Sequence, residues 1–199
     1  MLYELAHFIK DKCSFLWNAV EWTNASLFAL KYRGKLNNIS QILEGVSNNA
    51  LTIRMTVDSD AKKLELFFAA QPESAFEFFE PHGFDEKSVL KVLKNKAFMT
   101  FIVTVEDEIV GYFFLRAFVN GKCFRGKIVD YRWRNKGIAK QMGNVTNDIA
   151  KHLGLRIFAS ISPDNYASMA SSKAVNDVKI VKTLENGYYY IEYTSKSNN

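Results

Sequence analysis

The sequence predicts an α/β protein built on a mixed, strongly twisted sheet with helices on both faces, preceded by a helical N-terminal extension. Three observations point there. From Leu51 to Tyr193, short β-forming runs alternate with segments of helical period. Two Asn-Gly pairs, Asn120-Gly121 and Asn186-Gly187, each sit between apolar runs and mark tight hairpins. A third run, Lys122 to Val129, leads into a basic, glycine-containing turn that opens a long amphipathic helix. At 199 residues the chain suffices for one sheet domain, residues 51–199, behind an extension of residues 1–50.

Leu51 to Thr56 alternates and is rich in β-formers, so it reads as the first strand. Asp58-Ser59-Asp60 is a helix-start signal, and a helix to about Ala69 follows. A second helix starts at Asp85 and carries Val89, Leu90, Val92 and Leu93. Phe98 to Val105 is a strand that turns at Glu106-Asp107-Glu108 into Ile109 to Phe118. Asn120-Gly121 then reverses the chain into Lys122 to Val129. The long helix places Ile138, Met142, Val145, Ile149 and Leu153 on one face and ends at Gly154. Arg156 to Ile161 is a strand and Asp164 to Val175 a short helix. Val178 to Leu184 and Tyr188 to Tyr193 close the chain as a hairpin.

The turn Arg134-Asn135-Lys136-Gly137-Ile138-Ala139 carries the clearest chemistry. A helix start presents unpaired N–H groups and a partial positive charge, which suits a phosphate or pyrophosphate. Gly137, lacking a Cβ, lets such a group approach the backbone. Arg132 to Lys140 holds four cations and no acid. Neither the dinucleotide fingerprint nor the P-loop pattern is present.

The pattern R-x-x-G-x-A, in this order of elements, resembles the GNAT acetyltransferase superfamily, whose [QR]-x-x-G-x-[GA] loop holds the pyrophosphate of acetyl-CoA. The resemblance implies that Arg134, Asn135, Lys136, Gly137, Ile138, Ala139 and Lys140 bind that cofactor. It also implies that the pantetheine arm pairs with Ile128 and Val129 like an added strand, and that an N–H near Val129 polarises the thioester. In the family an Asn opening the next helix contacts pantetheine, and Asn165 stands there. A tyrosine that protonates the departing thiolate often follows seven residues on, and here that position is Ser172, a weaker proton donor. Where the family usually has Gly-Phe, this chain has Asn176-Asp177.

The implied reaction is direct transfer of an acetyl group from acetyl-CoA to an amine, with no covalent enzyme intermediate and no metal. Some members use a Glu on the strand before the turn as general base, but Lys122 to Val129 contains no carboxylate. Asp130 follows, and reads as a cap that orients the turn. The loop from Gln71 to Phe84 lies where such enzymes contact the acceptor, and offers Glu77, Glu80 and His82. The alternatives are that Phe76, Phe78, Phe79 and Phe84 pack the loop on the core with His82 only hydrogen-bonded, or that ordered water takes the proton. Aromatic residues in that loop and a basic surface favour an amino sugar, free or nucleotide-linked, as acceptor. A peptide or protein amine, or a module that binds acyl-CoA without catalysis, are the other readings.

Apolar content of 48% and charged content of 24% are ordinary for a soluble protein. Cys13 and Cys123 are too few for a disulfide framework, and His7, His82 and His152 lie too far apart in sequence to suggest a metal site. The net charge of +5 admits nucleic acid, but no zinc-finger, basic-zipper or RNP motif accompanies it. Glu4 precedes the first cation, Lys10, the reverse of a signal peptide, and no apolar run reaches about 18 residues, so a cytoplasmic location is expected. In the extension, Leu2 to Trp22 has helical period, with a break expected at Thr23-Asn24 before Leu27 to Leu30. A short helix and linker follow over Asn37 to Asn49. The extension either packs on the sheet domain, forms a dimer contact, or lies against the inner face of a membrane through its aromatic and basic residues. Its removal is expected to leave cofactor affinity nearly intact.

Overall fold

The structure, a computed structural model, describes residues 14–47 and 51–196, with side chains in the first stretch from residue 18 onward. Seven strands form one sheet in the order β1-β2-β3-β4-β5-β7-β6. These are β1 Thr52–Met55, β2 Phe98–Val105, β3 Glu108–Ala117, β4 Lys122–Val129, β5 Arg156–Ile161, β6 Asn176–Thr183 and β7 Tyr189–Ser195. The helices are α1 Ser14–Leu36, α2 Ile39–Val46, α3 Ala61–Ala69, α4 Glu86–Leu93, α5 Ile138–Leu153 and α6 Tyr166–Lys173. Every strand pair is antiparallel except β4 with β5. Parallel neighbours need a crossover, and α5 supplies it.

The expected strands and hairpins are present, and the turn chemistry explains their positions. Glu106 and Asp107 both have positive φ (48° and 66°), the geometry of a two-residue hairpin loop between β2 and β3. Gly121 and Gly187 take up the positive φ of the two Asn-Gly turns. At the first helix start, the Asp60 carboxylate accepts the Val57 N–H at 2.9 Å and two Arg54 N–H groups at 2.6 and 2.8 Å. This bridge, buried on the Asp60 side and exposed on the Arg54 side, holds the β1–α3 corner.

Successive residues of the central strands point to opposite faces, and each face has its own core. Phe101, Phe113 and Leu115 meet Met142 and Ile149 of α5 together with Phe28, Tyr32, Ile39 and Leu43 of the first two helices. Ile102, Tyr112, Phe114 and Ile128 meet Leu64, Phe67 and Phe68 of α3 and Val89 of α4.

The N-terminal segment departs from expectation in one respect. The break at Thr23-Asn24 does not occur, because α1 continues through it. Asn24 lies mid-helix and its amide clamps the end of β3, donating to Ala117 O at 3.0 Å and accepting from Val119 N at 3.2 Å. Thr23 Oγ1 bonds back to Ala19 O, as a helical threonine can. The part of the expected first helix before residue 14 lies outside the described residues. Among the described residues no helix is long and apolar enough to cross a membrane.

The burial of Phe28 and Ile39, both fully inaccessible, makes the segment part of the core, so removing the first 49 residues would expose that core, which bears on the expectation that cofactor affinity stays nearly intact. We predict that Phe28→Ala lowers the free energy of unfolding by about 3–5 kcal/mol. Trp22→Ala on the same helix, where the ring is 72% exposed, should stay within about 0.5 kcal/mol. Urea denaturation of both variants checks this.

Candidate active site

Backbone pairing between β4 and β5 stops early. It runs from Lys122–Arg156 through Cys123–Ile157 to Phe124–Phe158 and no further, although β4 continues to Val129 and β5 to Ile161. The two strands part beyond that point, leaving a wedge in the sheet. A cleft of about 330 Å³ occupies the apex, with Arg125, Gly126, Ser172 and Tyr193 in its wall. A second, of about 620 Å³, continues to the end of β4 and the turn that follows. Phe78, Phe79, Lys127, Asn165 and Ser168 border both, so the two form one channel.

At the open end, the residues singled out in the sequence come together. Ile128, Val129, Arg134, Asn135, Gly137, Ile138, Ala139, Lys140 and Asn165 all line the larger cleft. Gly137 is the N-cap of α5 with φ 81°, and a Cβ there would meet nothing within 4 Å, so open space faces it. Asn135 is also left-handed, at φ 62°. Lys140 and Gln141 donate to Gly137 O, while the N–H groups of residues 135–139 bond no other backbone group among the described residues. These are the donors that an anion at a helix start receives. Lys136 departs from the group, because its ammonium lies 4.1 Å from the Trp133 ring centre rather than on the cleft wall.

Asp130 sets the direction of this turn, as expected. Its carboxylate, 1% exposed, accepts from Arg132 N at 2.8 Å, from the Arg132 guanidinium at 2.8 and 3.0 Å, and from Gln71 Nε2 at 3.2 Å. Gln71 Oε1 in turn accepts the Tyr131 N–H. Burial opposes the charge on Asp130, but these donors outweigh it and hold the carboxyl below its usual range. Arg132 also bridges to Glu108, so one of the four cations counted in the turn is already neutralised.

The apex holds an arrangement that the sequence did not suggest. Arg125 and Lys127, two apart on β4, point to the α5–α6 face. The Arg125 guanidinium stacks 3.5 Å from the Tyr193 ring centre and reaches Ser172 Oγ at 3.5 Å. Ser172, 2% exposed, shares a 3.0 Å hydrogen bond with Tyr193 Oη. Lys127 Nζ donates to Ala139 O at 2.9 Å. Burial, reinforced by Arg125, brings its pKa down to about 7. The Cys123 thiol is buried and pushed up to about 12 by that burial, so it is not a nucleophile. Cations at alternate positions of an otherwise apolar strand were the available signal for Arg125 and Lys127. Nothing local to Tyr193 foretold its contact with Ser172, which depends on β7 pairing beside β5.

On the acceptor side the candidates separate. Glu80 is exposed at the rim of the apex cleft and is the only carboxylate in its wall. Glu77 is exposed and borders neither part of the channel. His82 does not face the channel at all and borders a separate hollow beside α1. Its Nδ1 lies 2.7 Å from Gly83 O, which can only accept, so Nδ1 carries the proton and Nε2 accepts from Tyr112 Oη at 2.8 Å. Burial among Phe68, Phe84 and Phe98 pushes its pKa down. In this structure both nitrogens of His82 are engaged, the arrangement that the packing alternative describes.

No protein-family model and no curated protein matches the sequence. Solved structures do match its shape. The GNAT domain of S. lividans PAT superposes with a TM-score of 0.60 at 15% identity, over 70% of this chain and 88% of that one. The chain has the GNAT fold. Ribosomal-protein-S5-alanine acetyltransferase from Vibrio fischeri gives 0.58 at 21% identity, over 77% and 96%. Aminoglycoside acetyltransferase AAC(6')-Ib, in complex with coenzyme A and kanamycin, gives 0.58 at 14%, over 74% and 95%. Each of these likenesses is a likeness of fold.

Lys127 yields a test of the apex. Between about pH 7 and its ordinary value near 10.5, the unfolded chain binds a proton there that the folded chain does not. Stability therefore rises with pH across that window, by up to about 1.4 kcal/mol per pH unit from this group. Below pH 7 the penalty is complete and the slope vanishes. In Lys127→Met this rise should be lost, as thermal unfolding at several pH values would read.

Proposed function

We propose that the chain is an acetyl-CoA-dependent N-acetyltransferase that moves an acetyl group to a primary amine by direct attack, without a covalent enzyme intermediate. The observation that carries this reading is the single channel running from the donor-rich turn at Gly137 to the unpaired edge of β4. A pyrophosphate would rest on the free N–H groups of the turn, with Arg134 and Lys140 beside it. The pantetheine arm would lie along Ile128 and Val129, where β4 has lost its neighbour, with Asn165 alongside. Asn165 already caps α6 by accepting the Ser168 N–H, so its position is fixed.

In this mechanism the amine lone pair attacks the thioester carbonyl carbon, the carbon–sulfur bond breaks, and CoA leaves as thiolate. A β4 backbone N–H beyond the last paired residue polarises the carbonyl oxygen. Glu80, at the rim, or water ordered by it, accepts the proton lost by the amine. The Ser172–Tyr193 pair supplies the proton for the thiolate, the phenol compensating for the weak serine donor. For the acceptor we favour an amino sugar, free or nucleotide-linked, whose ring stacks against Phe78, Phe79 and Phe114 in the apex wall. A peptide amine is the second reading, and the S5-alanine acetyltransferase among the structural neighbours speaks for it.

Two outcomes test this proposal. Gly137→Val should weaken acetyl-CoA binding by at least about a hundredfold in calorimetry, roughly 2.7 kcal/mol. Thermal unfolding of the variant separates that loss from strain at φ 81°. Glu80→Gln should lower kcat by about 10²-fold or more, with little change in acetyl-CoA affinity. Free-thiol release with a panel of amino sugars and peptide amines reads both turnover and acceptor class. Unchanged turnover in Glu80→Gln would leave the proton to water alone.

A further inference from the structure

The apex of the channel keeps a half-buried cation, Arg125, without an acid to match it. Arg125 cannot shed its proton at any ordinary pH, and burying such a charge unpaired is costly. Its side-chain partners are the hydroxyls of Ser172, with Oγ at a long 3.5 Å, and of Tyr193, and neither is an acid. Nη1 is shut off from solvent and bonded to nothing. Tyr193 covers one face of the guanidinium, and the side chain borders the cleft, so a ligand there that shifts Nη1 into reach would give it the partner it lacks. Lys127 on the same strand adds positive potential only below about pH 7, where it is protonated, and Glu80 at the rim is exposed. The cleft is small, about 330 Å³, and aromatic on its acceptor side, where Gly126 makes room. A Cβ at Gly126 would come within 2.5 Å of the Phe114 ring.

We propose that Arg125 is a carboxylate-binding residue, and that one of the two substrates meeting at the apex carries a carboxylate that its guanidinium holds through paired N–H···O bonds. This deepens the acetyltransferase reading and rests on it for the identity of the channel. The carboxylate has two sources: the acceptor amine's own acid group, or the far end of a dicarboxylic acyl group on CoA. If the carboxylate belongs to the acceptor, polycationic acceptors are disfavoured, because they would bring no partner for Arg125 and would meet its charge.

The experiment is calorimetry on the full chain with two matched pairs of probes. Succinyl-CoA and acetyl-CoA form the donor pair. β-Alanine and its amide, titrated into CoA-saturated protein, form the acceptor pair. One carboxylate-bearing probe should bind at least about tenfold tighter than its neutral partner, and that ratio should fall to about twofold or less in Arg125→Gln. Which pair discriminates names the source. Thermal unfolding supplies a readout that a merely structural arginine would not give: Arg125→Gln should melt higher than the parent, because an uncompensated buried charge is gone. If Arg125→Gln does not fold, Arg125→Lys, which keeps charge but loses the fork, should show a reduced ratio. Equal affinities within both pairs, or a preference that survives in the variant, would overturn the proposal. Failure of both CoA esters to bind would instead overturn the acyl-CoA reading. The β-alanine pair on the free protein would then still decide the role of Arg125.

Discussion

The parting of β4 from β5 after Phe124 and Phe158 is the constraint on which the rest of the structure depends. A continuous sheet would leave no room between these strands and no unpaired backbone to offer. Because they diverge, five residues of β4 have no β5 partner, and the turn that opens α5 lines the larger cleft beyond them. Asp130 fixes that relation. Its buried carboxylate ties the end of β4 to Gln71 of the acceptor loop and to Arg132 of the turn. The turn, the free edge and the loop are therefore positioned by one group of contacts.

The charge distribution follows the same geometry. Cations at the open end are exposed or already matched, as Arg132 is by Asp130 and Glu108. Cations at the apex are half-buried and without an acid, which lowers the Lys127 pKa and leaves an Arg125 nitrogen without a partner. A protein tolerates such a cost where a ligand repays it, and the expected cost in stability is the counterpart of the expected gain in recognition.

Much of the fold was legible in the sequence because its signals are local. Asn-Gly turns, the caps at Asp85 and Gly154, and alternation along Phe98 to Val105 are set by neighbours in the chain. The turn around Gly137 was legible for the same reason, since a strand, a glycine and a helix start suffice to define it. Helix continuity at Thr23-Asn24 was not, because Asn24 finds its partners at Ala117 and Val119. The engagement of His82 with Tyr112 was not legible either, since it spans thirty residues of chain. Tyr193 and Ser172 meet only because β7 lies beside β5, a pairing no local pattern encodes.

The measurement that tests the account most directly is an amide-resolved NMR titration with acetyl-CoA. The account predicts shifts at Ile128 and Val129, at Gly137 to Lys140 and at Asn165, the residues that line the wedge and its turn. Shifts confined to the hollow around Trp22 and His82, or no shifts at all, would contradict it.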